Sequence, residues 1–193
     1  MQTSTGKKFW TLYAKEMRDI LPEIIVVAAL TVLFSGAVYV NNPDYRALAI
    51  VPLGMVMGLN IFLPFISSFK LLWREWNHNT IYLVMSLPVK GGTVLGSKLL
   101  ALLSQYIIGA LVIVTTGFFM VWPDLNRLQM KFDAVHIIGE GGPPFLLAAL
   151  LSIGMLAYLI NISFFSQVVG RLVKRYSGLL TAGIFLFTLW LAG

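Results

Sequence analysis

Read by polarity alone, the chain alternates long apolar runs with short polar intervals. Five runs reach or approach membrane-spanning length: 20–40, 47–72, 93–121, 144–170 and 177–193. A run of about 20 apolar residues crosses the ~30 Å hydrocarbon layer as a helix, because only a helix satisfies its own backbone hydrogen bonds in lipid. The expected fold class is all-α integral membrane, with one transmembrane domain over 1–193. The fifth run is the shortest and stops in mid-pattern at "FTLWLAG". A sixth span is expected in a complete chain.

Ahead of the first run the polarity changes its period. At about 100° per residue, Phe9, Trp10, Tyr13, Ala14, Met17, Ile20 and Leu21 fall on one side of a helix over 7–21. Lys7, Lys8, Thr11, Lys15, Glu16, Arg18 and Asp19 fall on the other, and only Leu12 breaks the pattern. An aromatic face opposite a basic face suits an amphipathic interfacial helix lying in a headgroup layer. Pro22 permits a bend from it into the first span. The helix serves either as a plain juxtamembrane anchor or as an elbow bracing a moving bundle.

Composition agrees with the spans. Of 193 residues, 58% are hydrophobic and only 11% charged, and the mean hydropathy is +0.84. Soluble domains carry about 25% charged residues. The net charge of +6 is explained by topology. With the N-terminus cytoplasmic, the inner segments hold Lys7, Lys8, Lys15, Arg18, Lys70, Arg74, Lys90, Lys98, Arg171, Lys174 and Arg175. Only Arg46, Arg127 and Lys131 lie outside, an asymmetry that sets orientation and gives no reason to expect nucleic acid. The chain has no cysteine, and His78 and His136 lie far apart. Neither a disulfide framework nor a metal site is expected. His136 with Asp133 and Glu140 would offer few ligands on a loose loop.

No charge falls at mid-membrane, where proton and ion routes usually carry one. Glu23 and Lys98 sit near the cytoplasmic ends of their spans, and the interior polar residues are neutral: Asn60, Ser104, Gln105, Thr115, Thr116, Asn161, Ser166 and Gln167. An ion-coupled pump is therefore disfavoured. The second span carries Pro52, Gly54, Gly58, Asn60 and Pro64. Gly54 and Gly58 make a small-xxx-small pair that admits a close helix. Gly54, Gly58 and Asn60 serve packing inside the bundle, or else a dimer contact or a pathway-lining helix. The outer interval, Trp122 to Pro143 with its "GEGGPP", is too short for a folded domain.

The most polar interval between spans is "REWNHNTIYLVMSLPVKGG", Arg74 to Gly92. Trp73, Trp76, Thr80, Leu83, Val84 and Leu87 share one helical side, with Arg74, Glu75, His78, Tyr82 and Ser86 on the other. A cytoplasmic surface helix over 73–88 is expected, stopped by Pro88 and released by Gly91 and Gly92. By pattern alone it is either a solvated connector or a docking surface.

The run "EWNHNTIYLVMSLPVKGGTVLGSKLLALL", Glu75 to Leu103, resembles the cytoplasmic segment of the permease subunits of type-2 ABC exporters. The resemblance is carried by Glu75, Asn79, Thr80, Leu83, Ser86, Leu87, Pro88, Val89, Gly96, Lys98, Leu99, Leu100 and Ala101. The order of elements is similar too, with a basic turn "RLVKRY" after the fourth span, although that family has six spans where this chain shows five. The resemblance implies that 73–88 is a coupling helix docked on a separate ABC ATP-binding subunit through Arg74, Glu75, His78, Asn79, Thr80, Tyr82, Leu83 and Ser86. ATP and Mg would belong to that partner, since this chain has no GxxxxGK[ST] loop and no catalytic motif. It further implies a second permease copy or paralogue in a homo- or heterodimer within the cell membrane. The expected function is outward transport of a drug, peptide or lipid-like substrate. The alternatives are a membrane sensor or assembly protein that docks a cytoplasmic partner, and a membrane component of a vitamin-type importer.

Overall fold

The computed structural model describes residues 5–41, 50–77, 91–127, 142–171 and 177–192. These form α1 (Thr5–Asn41), α2 (Ile50–Asn77), α3 (Gly91–Arg127), α4 (Gly142–Gly170) and α5 (Ser177–Ala192). No strand occurs among the described residues. The helices α1 to α4 are long and apolar enough to cross a membrane, and the protein is a helical membrane protein. The 16 residues of α5 reach only about 24 Å at 1.5 Å per residue, short of the ~30 Å hydrocarbon layer.

Expectation and structure part at the N-terminus. The stretch expected as an interfacial helix is continuous with the first span, in a single helix of 37 residues with Pro22 inside it. At about 55 Å, α1 is far longer than the hydrocarbon layer is thick. Its inward stripe takes in part of the aromatic face, since Tyr13 and Met17 pack against the core around Ile20. Glu16, Ile20 and Val27 are buried and Leu12, Tyr13, Asp19, Glu23 and Ile24 half-buried, whereas Trp10, Ala14 and Leu21 are exposed. Leu12, which broke the amphipathic pattern, belongs to the packed stripe. The helix has turned so that its acidic residues meet neighbours.

Along the bundle α1 lies on α3 and α2, α2 also lies on α3 and α4, and α5 joins through α4. One apolar core joins four helices through Ile20, Leu71, Leu102, Ile160 and Phe164. A smaller one joins α1, α2 and α3 through Val27, Leu53, Val56 and Ile113. The outward faces are apolar as well, with Leu33 at 67%, Met55 at 72% and Phe119 at 75% exposure. Such a surface is a liability in water and ordinary in lipid.

Polar side chains instead fill the interior. Ser68 and Ser163 hydroxyls meet at 2.7 Å, Gln167 of α4 donates to the Ser68 carbonyl at 3.3 Å, and the Tyr106 hydroxyl pairs with Ser152 at 3.0 Å. Small hydroxyl residues let helix backbones approach and then bond across the gap.

Candidate functional site

On α1 the acids Glu16, Asp19 and Glu23 follow at spacings of three and four, which places them on one side of the helix. On α2, Ser67, Lys70 and Arg74 repeat the same spacing, and on α3 Lys98 and Gln105 lie two turns apart. The three stripes face one another at a single end of the bundle. Lys98 Nζ donates to Glu16 Oε1 at 2.9 Å and to Glu75 Oε1 at 2.7 Å. Lys15 stands 3.6 and 3.5 Å from the same two oxygens. Glu23 accepts from Lys70 at 2.7 Å, from Gln105 Nε2 at 2.9 Å and from the Ser67 hydroxyl. Arg74 pairs with Asp19.

Among the described residues this cluster sets four carboxylates against four cations. Its members differ in depth. The Lys98 side chain is 1% exposed, with Glu16 at 3% and Glu75 at 8%, whereas Arg74 is 41% exposed. Isolated charges as deep as Lys98 would cost several kcal/mol each, and mutual pairing with good geometry offsets that cost. The exposed Arg74–Asp19 pair contributes at most about 1 kcal/mol. Lys98 is therefore the energetic centre.

Its position in the chain has a mechanical consequence. Glu75 precedes the segment 78–90 and Lys98 follows it, so their pair ties together the two stretches by which the chain enters and leaves that segment. Glu16 adds α1 to the same knot.

A second feature lies on the other side of α2. Between the last turns of α2 and α4 and the first half of α5 runs a groove of about 800 Å³. Phe65, Phe69 and Phe185 form its wall, with ring centroids 5.2 to 6.0 Å apart, the offset and edge-on spacing that aromatic rings prefer. Lys70 and Arg171 line it where the bundle is charged. Gly170 holds α5 against α4, because a Cβ there would overlap Thr181 Oγ1 and lie 2.9 Å from its backbone nitrogen.

Several residues that the sequence singles out separate in space. Arg74 and Glu75 turn into the bundle. His78, Asn79, Thr80, Tyr82, Leu83 and Ser86, with the rest of the expected coupling helix, lie outside the described residues, as do "LVKRY" of the basic turn and the loop residues Asp133, His136 and Glu140. Asn60 is 1% exposed and donates to the Tyr106 carbonyl at 3.1 Å. Gly109 is required beside it, since a Cβ there would overlap the Asn60 amide oxygen. Gly54 and Gly58 face elsewhere, and a Cβ on either meets nothing within 4 Å. Thr115, Thr116 and Asn161 bond carbonyls of their own helices at 2.7 to 2.8 Å, a local habit of such residues that leaves helix contacts unspecified.

The residues missed from the sequence are Glu16, Asp19, Ser67 and Ser163. The signal for the first two was an acidic i, i+3, i+7 stripe through Glu23, complementary to the basic i, i+4 pair Lys70 and Arg74. Compared with known proteins, the chain matches no family model, no curated protein and no solved structure.

Proposed function

We propose that the chain is the membrane permease subunit of an ATP-driven ABC exporter of the type-2 class. The reading rests on the resemblance over Glu75 to Leu103 and on one structural observation, the buried Lys98 bridge between Glu75 and Glu16. In this account the charged end faces the cytoplasm in the cell membrane, following the positive-inside bias. The segment after α2, within the expected coupling helix 73–88, docks on a separate ATP-binding subunit that carries ATP and Mg, while 73–77 continue α2. Closure of that subunit pushes the segment, and the Lys98 bridge passes the displacement to three helices at once. Glu75 then acts as a positioning residue from within the bundle, and the docking contacts fall to 78–90.

A second permease copy or paralogue completes the pathway, with the Gly54–Gly58 face of α2 as the contact. That face is open in the single chain, where Val51, Met55, Leu59 and Phe62 are all exposed around it. A stripe of small residues lets a facing helix approach closely in lipid. The mostly neutral interior suits a drug, peptide or lipid-like substrate better than a coupling ion.

The test is extraction of the protein from its own membrane in mild detergent, followed by identification of copurifying polypeptides and a vanadate-sensitive ATPase assay. An ATP-binding subunit should accompany the chain, and a charge placed at Leu83 should uncouple ATP hydrolysis from transport while leaving membrane insertion intact. Recovery without any ATP-binding polypeptide, or full coupling in the Leu83 variant, would sink the reading.

A further inference from the structure

We propose that the groove between α2, α4 and α5 is a binding site for an uncharged ring compound carrying a hydrogen-bond donor, its rings against the phenylalanine wall and its donor on the Gln167 amide oxygen. The inference is independent of the exporter reading, since it needs only the groove and the membrane.

The groove is built before any ligand arrives. Phe65 and Phe69 on α2 pack with Phe185 on α5 at interplanar angles of 43° to 86°, and the close seating of α5 on α4 at Gly170 sets the width. The volume of about 800 Å³ falls within the roughly 300–1,000 Å³ of ligand pockets. Rings set at such angles present both faces and edges, and a further ring packs favourably on either.

Gln167 supplies the polar point. Its side-chain nitrogen donates to the Ser68 and Ser163 carbonyls at 3.3 and 3.4 Å and to the Ser163 hydroxyl at 3.2 Å. Two carbonyls accept from that one atom, which fixes the orientation of the amide and leaves its oxygen outside these bonds. Among the described residues, the sealed side-chain polar atoms without a partner are Ser35 Oγ and Gln105 Oε1. The Gln167 oxygen is not one of them and Gln167 lines the groove, so this acceptor faces a space that a ligand can enter. An unanswered amide oxygen in an apolar setting is costly, and a donor brought by a ligand removes that cost.

The charges at the same end do not select an ion. Lys70 is paired with Glu23 at 2.7 Å, and Arg171 is engaged as well. An acyl chain would fill the volume, but it brings no donor to Gln167 and loses rotamer freedom in a rigid slot, a loss that a flat ring avoids. Ile66 and Leu186 form the lip and are 58% and 67% exposed. Entry is therefore sideways, from the bilayer into which an uncharged ring compound partitions.

Photolabelling of the purified chain in dioleoyl phosphatidylcholine nanodiscs tests the site. The probe is 4-benzoylbenzyl alcohol, and the control is benzophenone, which has the same two rings and no donor. Labelled positions are mapped by mass spectrometry and compared with the exposed face of α4 around Leu147. The alcohol should label Phe65 to Trp73 and Thr181 to Leu186 saturably, and more strongly than benzophenone by about 2- to 12-fold, the effect of one neutral hydrogen bond. Phe69→Leu, which keeps bulk and removes a ring, should weaken binding by a similar factor of about 2 to 12. Ala182→Trp, which fills the groove from an exposed position on α5, should abolish the saturable label, while Leu147→Trp should leave it intact. Label that rises in proportion to the probe without saturating would mean that acyl chains hold the groove, and would overturn the proposal. So would equal labelling by the two probes, and so would saturable label that survives Ala182→Trp.

Discussion

The two sides of α2 solve the problem of polar groups in a membrane protein in opposite ways. Toward α1 and α3, at the charged end, Lys15, Lys70, Arg74 and Lys98 are each answered by a carboxylate, and Lys98 is sealed between Glu16 and Glu75. Toward α4 and α5, neutral hydroxyls and amides hold the helices together, and among the described residues the groove is lined by Lys70 and Arg171 without a carboxylate. The contrast teaches that burial and pairing go together where the helices must move as one.

The largest effect should come from breaking the sealed side. Lys98→Met leaves the buried Glu16 and Glu75 with only the half-exposed Lys15 beside them and should cost about 3–5 kcal/mol, the usual result of removing one partner of a buried ion pair. Thermal unfolding in detergent reads it. Adding Glu16→Gln and Glu75→Gln should restore most of the loss, since neutral replacements no longer need the ammonium. An unchanged melting temperature in Lys98→Met would show that the cluster is not sealed.

The other side should respond to size before charge. Gly170→Ala meets Thr181 backbone, which cannot rotate away, and overpacking of this kind costs about 1–3 kcal/mol. It should push α5 from α4 and widen the groove, detectable as faster proteolysis near α5. Stability equal to wild type would mean that α5 is not seated as described.

Gly58→Ala gives the smallest effect and the sharpest contrast with Gly170. A Cβ at position 58 meets nothing, so the isolated chain should keep its stability within about 0.5 kcal/mol. Self-association measured in bicelles should weaken if that face receives a second copy. An unchanged dimer would remove α2 as the contact.

The spans were legible in the sequence because each is a long apolar run, although the helices run past the expected limits, Ile50–Asn77 against 47–72 and Gly91–Arg127 against 93–121. What faces inward was not legible. In lipid both faces of a helix are apolar, so hydrophobic periodicity no longer points to the core, and hydropathy alone cannot tell Leu72 inside from Leu59 outside. The 7–21 stretch reads differently in the structure for a related reason, being continuous with the first span in one helix. Its pattern was judged against a headgroup layer, whereas Glu16 and Asp19 find cations on α2 and α3 and turn the helix toward them. Lys98 lies near the start of its helix as expected, whereas Glu23 stands at the middle of the 37-residue α1, and pairing between residues 82 positions apart leaves no local mark. Asn60 reads the same as a pathway residue or a helix bond until Gly109 is seen beside it.

The central claim is that Lys98 joins the two ends of segment 78–90 to the bundle. A double-mutant cycle on Lys98→Met and Glu75→Gln, followed by unfolding in detergent, measures that joint directly. The account predicts an interaction energy of about 2 kcal/mol, within the range for contacting residues in one network. Additivity within about 0.5 kcal/mol would contradict it.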